Sequence, residues 1–378
     1  VSASSASLTL LLPGLLTDAA IAPELARQLE GLPGARTLLS WLGAATPREE
    51  VFVPFEAGCT AREYWWLRRA GHVPAEGGKP GSALAPLLAG NQQDDAPVWL
   101  AELAHIQVGR HGPVLADTAT LAASEQESAE LLAAARPILD EHGIVVADVQ
   151  PGRWQLRLPV GMGLHTGTPD AVAGAALDFW WPRTEASRPW RKLLNEIQMS
   201  WHEHPVNLAR ERRGQAPVNA LWLHGGALPW APSWPGGRPA SIGGPEAWLH
   251  ALAVRSGLSW LDTGAMESGQ AVPAPARSSG PAADPATLAG AVLELPHLAE
   301  PERADDWRAW LDALPRLEQE WLAALGQALA SGRLPSLTLV LPGRERLVTL
   351  HIEPRPRLLR WLPQTRHDWK RWWLPRES

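Results

Sequence analysis

Short apolar runs that stop at Pro-Gly or Gly-Gly set the terms on which this chain can fold. Leu8 to Leu12 ends at Pro13-Gly14, Val218 to Leu223 runs into Gly225-Gly226, and Ser336 to Leu341 meets Pro342-Gly343. Runs of this length between breakers predict buried strands. Pro23 to Glu30 follows the first of them as a helix with proline at its N-terminal end, so the chain opens as a βα unit. Leu347 to Ile352 adds a closing strand, and Arg303 to Ala330 reads as a long amphipathic helix or helix pair. Strands alternating with helices at both ends imply an open α/β sheet with helices on both faces.

The middle of the chain has a different texture. Helices are predicted at Glu63 to Ala70 and Ala83 to Leu88, with loop between them. From Pro97 an extended or mixed segment leads to a brief strand at Val114 to Ala116. Ser124 then caps an Ala/Leu/Glu-rich helix, with Glu127 at capping-box spacing. Strands at Ile144 to Val149 and Trp154 to Leu158 complete an α+β unit. The predicted organisation is a discontinuous α/β core, 1–94 and 186–378, interrupted by an inserted α+β domain, 95–185. Further helices are expected at Trp190 to Trp201, Val206 to Arg213 and Pro245 to Arg255, and a Pro/Ala/Ser-rich loop at Ala271 to Pro285.

Composition removes several function classes. One cysteine, Cys59, excludes an intrachain disulfide and a thiolate zinc cluster, and a lone cysteine is more often a small buried hydrophobe than a nucleophile. A net charge of −6 argues against a general nucleic-acid binder. The early apolar run is too short to span a membrane and no basic residue precedes Arg27, so the expected location is cytoplasmic. Tryptophan supplies 21 of 25 aromatic residues, while lysine occurs at only three positions among 34 basic ones. G/C-rich codon bias accounts for both skews. It does not account for clustering.

Chemistry-bearing residues are densest between Lys192 and Gly226. Asn207 and Arg210, at i and i+3, place an amide and a guanidinium on one helix face, a pairing suited to carboxylate or phosphate recognition. The following strand ends at Gly225-Gly226, where a ligand can approach backbone closely. The same residues equally suit a capped, salt-bridged helix feeding a core strand. His202 and His204 lack metal-pair spacing, and Pro205 breaks the segment. His105 to His111 with Asp117 is a lesser cluster.

The runs NEIQM and HPVNLARERRGQAPVNALWLHGG resemble the RpfE-type family of bacterial regulatory proteins. That family in turn is similar to archaeal-type cofactor-independent phosphoglycerate mutases of the alkaline phosphatase superfamily. The resemblance implies an alkaline-phosphatase-like α/β fold. It marks His204, Asn207, Arg210, Asn219, Gly225 and Gly226 as candidates for holding an anionic small molecule or for maintaining the helix–strand junction. The enzymes it points to use two metals and a Ser or Thr nucleophile. Here Pro13 stands where a metal-bearing aspartate is expected, Leu341-Pro342-Gly343 replaces a Ser-Asp-His element, and Glu294-Leu295-Pro296-His297 replaces Asp-x-x-Gly-His. Pro80-Gly81-Ser82 resembles the nucleophile's context, but Ala83 replaces the aspartate that would follow. Proline and leucine offer no ligand to a hard cation.

The expectation is therefore a metal-free pseudoenzyme with a regulatory or binding role, using no cofactor. One alternative is a residual phosphoglycerate mutase or phosphatase. The other is an interaction scaffold using Trp230 and Trp234 in a Pro/Gly-rich loop and Trp369, Trp372 and Trp373 in a basic tail. For that tail the competing reading is docking onto the domain, with tryptophans packed and arginines at the rim.

Overall fold

The computed structural model describes residues 7–89, 95–109, 112–162, 164–181, 184–185, 187–263, 285–354 and 367–374. The chain forms two compact units, 1–52 with 234–378, and 53–233. The second interrupts the first. The insert expected at 95–185 lies within residues 53–233, together with flanking segments that the sequence reading gives to the core. The expected loop at Ala271 to Pro285 lies outside the described residues except for Pro285.

The first unit is an open α/β sheet. Its order is β10 (Ser259–Trp260), β9 (Ser241–Gly243), β11 (Val292–Glu294), β1 (Leu8–Leu11), β12 (Leu337–Pro342), β13 (Arg346–Ile352) and β2 (Arg48–Val51). The first five strands run parallel, with Leu10 opposite both Leu293 and Leu339. β13 and β2 add antiparallel at one edge. β1 is central and buried on both faces, which is why it reads as an unbroken Leu-rich run. Leu8 and Leu10 join the core built with the Ala22–Gly31 and Arg36–Ala44 helices and the Trp307–Ser331 helix. The last of these contains a π turn at Glu318–Leu322. The Ala247–Ser256 helix covers the opposite face, where Leu249 packs over Gly244 beside Glu294. Helices on both faces agree with the sequence reading.

The second unit is an antiparallel α+β structure. Its sheet runs β6 (Val145–Gln150), β7 (Arg153–Arg157), β3 (Val98–Ala104) and β8 (Ala220–Ala227), and β4 (Ile106–Gly109) pairs with β5 (Gly112–Leu115) as a separate ribbon. One face carries Ala101, Leu103, Trp154, Leu156, Leu221 and Leu223 against the Glu125–Glu141 and Arg188–His202 helices. The predicted capping box is formed in full: the Ser124 side chain accepts from Glu127 N (3.1 Å) and the Glu127 side chain accepts from Ser124 N (3.0 Å). The run expected at Val218 to Leu223 is β8, which pairs antiparallel with β3 in this sheet and not with the parallel strands of the first unit. Its short, continuous apolar run suits either setting, so the pattern alone does not choose the partner.

Candidate functional site

The stretch from His204 to Gly226 lies wholly in the second unit, and its polar atoms are taken up by the protein. His204 is the N-cap of the Pro205–Arg212 helix; its Nδ1 accepts from Val206 N at 3.3 Å. Asn207 is 1% exposed. Its Nδ2 donates to the carbonyls of Trp201 and Val218, both at 2.8 Å, and its Oδ1 accepts from Val218 N at 2.8 Å. One amide thereby ties the end of the Arg188–His202 helix to the approach of β8.

Arg210 is equally enclosed. Its Nε donates to Ala216 O (2.8 Å), one terminal nitrogen pairs with Glu127 (2.7 Å) and the other donates to Leu121 O (2.5 Å). Glu127 also receives Arg213 at 2.5 Å. Burial works to raise the Glu127 carboxyl, but the Ser124 N–H and the arginines outweigh it and hold the group below its ordinary value. Asn219 exchanges two hydrogen bonds with the Ile106 backbone, at 2.7 and 2.9 Å, in the manner of a strand residue.

Gly225 and Gly226 have φ of +100° and +91°. A Cβ on Gly225 would stand 2.5 Å from Ala85 Cβ and 2.6 Å from Val98 O, and one on Gly226 would meet the Trp99 ring at 2.5 Å. The glycines admit protein rather than a ligand, at the point where β3 shifts register against β8.

The tryptophans expected as contact surface are largely internal. Trp369, Trp372 and Trp373 are buried in the first unit's core. Arg346 donates to the carbonyls of Trp372, at 2.8 Å, and Trp373, His367 N donates to Gly43 O (2.8 Å), and Lys370 pairs with Glu30 (2.6 Å). This arrangement is the docked tail. Trp234 is buried and donates to Ser256 Oγ at 3.2 Å. Trp230 is half-buried beside His72, with ring centroids 4.9 Å apart, and donates to Ala83 O at 3.0 Å. Residues 110–111, 355–366 and 375–378, which include His111, Trp361 and Arg366, lie outside the described residues.

At the carboxyl edge of the parallel strands, the positions singled out for lacking ligands are closed by packing. Gly14, with φ +79°, leaves room for no side chain: a Cβ there would stand 2.3 Å from Leu298 O. Trp310 Nε1 donates to Gly14 O at 2.8 Å, and Leu12, Leu15 and Leu341 are fully buried. His297 is engaged with Glu320 at 3.0 Å. Arg344 lies 3.5 Å from Asp18, and Glu302 is raised to about 6 by burial and then by Asp18, against the lowering effect of Arg344 and Arg303. Among the described residues, no group of three or more His, Cys, Asp or Glu could hold a metal ion.

Several polar groups in the second unit escaped the sequence reading. The Glu63 carboxyl accepts from Thr60 N (2.7 Å), Thr60 Oγ1 (2.9 Å) and Thr168 Oγ1 (2.9 Å), beside an Arg62–Asp170 pair at 2.9 Å. Burial, then the charge of Asp170, raises Glu63 to about 7 despite Arg62 and these hydrogen bonds. Thr60-x-x-Glu63 has the spacing of a capping box and was the available signal. Next to it Cys59 is fully buried, and burial followed by Glu63 pushes its thiol well up, the behaviour of a core residue.

On the sheet, His224 Nε2 donates to Glu102 at 3.1 Å, while His224 Nδ1 is buried without a partner. Burial acts to raise Glu102, but the His224 hydrogen bond and charge, with Arg153, leave it below its ordinary value. Lys79 lies over the rings of Phe55 and Trp180. No local sequence pattern marks either arrangement, because each joins residues distant along the chain.

The chain is thus an α/β protein whose sheet unit is interrupted by an antiparallel α+β unit. Among solved structures it is similar to the PH0037 protein from Pyrococcus horikoshii, at 12% identity over 92% of this chain and 88% of that one, with a TM-score of 0.44. It is also similar to a cofactor-independent phosphoglycerate mutase from Thermoplasma acidophilum, at 14% identity over 92% of this chain and 90% of that one, with a TM-score of 0.34. No protein-family model and no curated protein matches the chain. Among the described residues, no helix is long and apolar enough to cross a membrane.

Proposed function

We propose that this protein is a metal-free, non-catalytic relative of the alkaline phosphatase superfamily, of the RpfE type, with a regulatory or binding role. The observation that carries the reading is the closure of the β1 edge: Pro13 where the resemblance expects an aspartate, followed by Gly14 pressed on Leu298 O and held by Trp310. A carboxylate ligand has no room at Gly14, and the surrounding Leu12, Leu15 and Leu341 provide no oxygen donor from a side chain. A two-metal clamp on the attacking and leaving oxygens has no ligand set at these positions. The segment from His204 to Gly226 acts in this reading as a brace joining helix ends to sheet, since its buried amide and guanidinium are saturated by protein groups.

Elemental analysis of the purified chain, combined with a manganese-supplemented assay on phosphoglycerates, tests the proposal. The expected result is substoichiometric metal and no turnover. Stoichiometric metal with turnover abolished by Glu294→Gln or His297→Ala would establish the residual-enzyme alternative instead.

A further inference from the structure

We propose that Lys79, walled by Phe55 and Trp180, is the anchor of a binding site for a small oxyanion, a carboxylate or a phosphate. Of the three lysines, Lys192 and Lys370 lie against carboxylates, Glu196 at 3.4 Å and Glu30 at 2.6 Å. Lys79 does not. Among the described residues its buried ammonium has no hydrogen-bond acceptor, and it lies 4.0 Å from the centroid of the Phe55 ring and 5.7 Å from that of Trp180.

The position is built rather than accidental. Gly58 leaves room for the lysine stem, since a Cβ there would come within 2.9 Å of Lys79 Cδ, and the Lys79 carbonyl accepts from Ser82 Oγ at 2.7 Å. Trp180 is 5% exposed and seated against Gly167, so it forms a fixed wall. Phe55, on the single-turn helix Pro54–Ala57, is 48% exposed, packs edge-on against Trp180 with ring centroids 5.6 Å apart, and forms the solvent-facing wall.

The surroundings of the ammonium define the chemistry of a partner that would suit it. Ring faces attract a cation but offer no lone pairs to three ammonium donors. Burial alone lowers Lys79 from its ordinary value, and no neighbouring carboxylate acts against it. A water molecule would satisfy a donor and leave the charge uncompensated. An oxyanion entering past Phe55 supplies both acceptors and counter-charge, and charge-assisted hydrogen bonds of this kind are the strong ones. The inference does not depend on whether catalysis has been lost.

The scarcity of lysine makes the test direct. Full-length protein labelled with 13C at lysine Cε gives three signals, assigned with Lys79→Met, Lys192→Met and Lys370→Met. The Lys79 signal is expected to be displaced by the two rings. Titration at constant ionic strength with inorganic phosphate, and separately with acetate, should move that signal saturably with at least one anion while the other two stay put. Which anion acts distinguishes the phosphate from the carboxylate source. Calorimetry with the effective anion should show affinity reduced at least about tenfold in Lys79→Met and retained better in Lys79→Arg. No movement of the Lys79 signal with either anion, or equal movement of all three, overturns the proposal, and the wild-type titration decides this even if a variant fails to fold.

Discussion

Replacing Asn207 by alanine separates a brace from a ligand site. The side chain makes three 2.8 Å hydrogen bonds, to Trp201 O, Val218 O and Val218 N, from a position 1% exposed. Alanine abandons all three backbone groups in a place that water enters poorly. Each unsatisfied buried group costs about 1–3 kcal/mol, so with partial rehydration the total is roughly 3–5 kcal/mol. For a unit spanning residues 53–233, at about 2–4 °C per kcal/mol, the melting temperature should fall by roughly 6–20 °C. Urea unfolding followed by tryptophan fluorescence, with scanning calorimetry alongside, measures this. Asn207→Asp keeps the acceptor for Val218 N but loses both donors and buries a charge, so it should be no more stable than the alanine variant. A loss below about 2 °C for Asn207→Ala, accompanied by loss of affinity for a phosphorylated acid, would refute the brace and return the residue to a binding role.

Other perturbations read other parts of the molecule. Glu63 is raised to about 7 from an ordinary 4.5, so the folded state holds a proton that the unfolded state releases. The resulting penalty is absent below about 4.5, grows as pH rises towards 7 and is constant above it; Glu63→Gln should therefore gain on wild type across that window, and parallel stability profiles would contradict the assignment. Glu127 is held low, so its contribution is present above the ordinary value of 4.5 and is lost as pH falls through its folded value; Arg210→Met should therefore cost most stability near neutral pH, with the gap to wild type narrowing as pH falls, measured by fluorescence melts across the acid-to-neutral range. Gly225→Ala forces a Cβ into Ala85 and Val98 O at positive φ and should lower stability by about 2 kcal/mol or more, whereas a surface glycine with open space, Gly152, should tolerate alanine better. Arg346→Ala removes the hydrogen bonds to the Trp372 and Trp373 carbonyls, and limited proteolysis should then clip the 367–374 segment faster while cleavage elsewhere proceeds as in the wild type.

The parallel core was legible where strands are buried on both faces and end at breakers. β1 and β12 carry both signals, and their expected and observed bounds differ by a residue. The strands that escaped are short or sit at edges. Ser241–Gly243, Ser259–Trp260 and Val292–Glu294 have two or three residues each, too few to show a period, and Arg48–Val51 is an exposed edge strand of Arg-Glu-Glu-Val with almost no apolar content. Partner choice was also hidden. β8 looks like a core strand of the parallel sheet from its own residues, but Leu221 and Leu223 bury against the Glu125–Glu141 and Arg188–His202 helices of the second unit, a fact held by residues outside the strand.

The candidate site was legible only as residue types. Asn207, Arg210 and Asn219 stand out as candidates for an anionic ligand or for the helix–strand junction, because polar groups of that density beside an apolar strand must be satisfied by something. Sequence spacing does not say by what. Arg210 finds Glu127 and Leu121 O, 83 and 89 residues away, and Asn219 finds Ile106, 113 residues away. Lys79 is the reverse case. It directly precedes Pro80-Gly81-Ser82, but nothing in that run marks the lysine itself, and it becomes conspicuous only once the fold buries its ammonium against two rings with no acceptor among the described residues. A saturated buried group has already been assigned its work by the fold, whereas an unsatisfied one points to something the chain does not itself provide. That asymmetry moves the search for an anionic ligand from the arginine of the helix to the lysine of the loop.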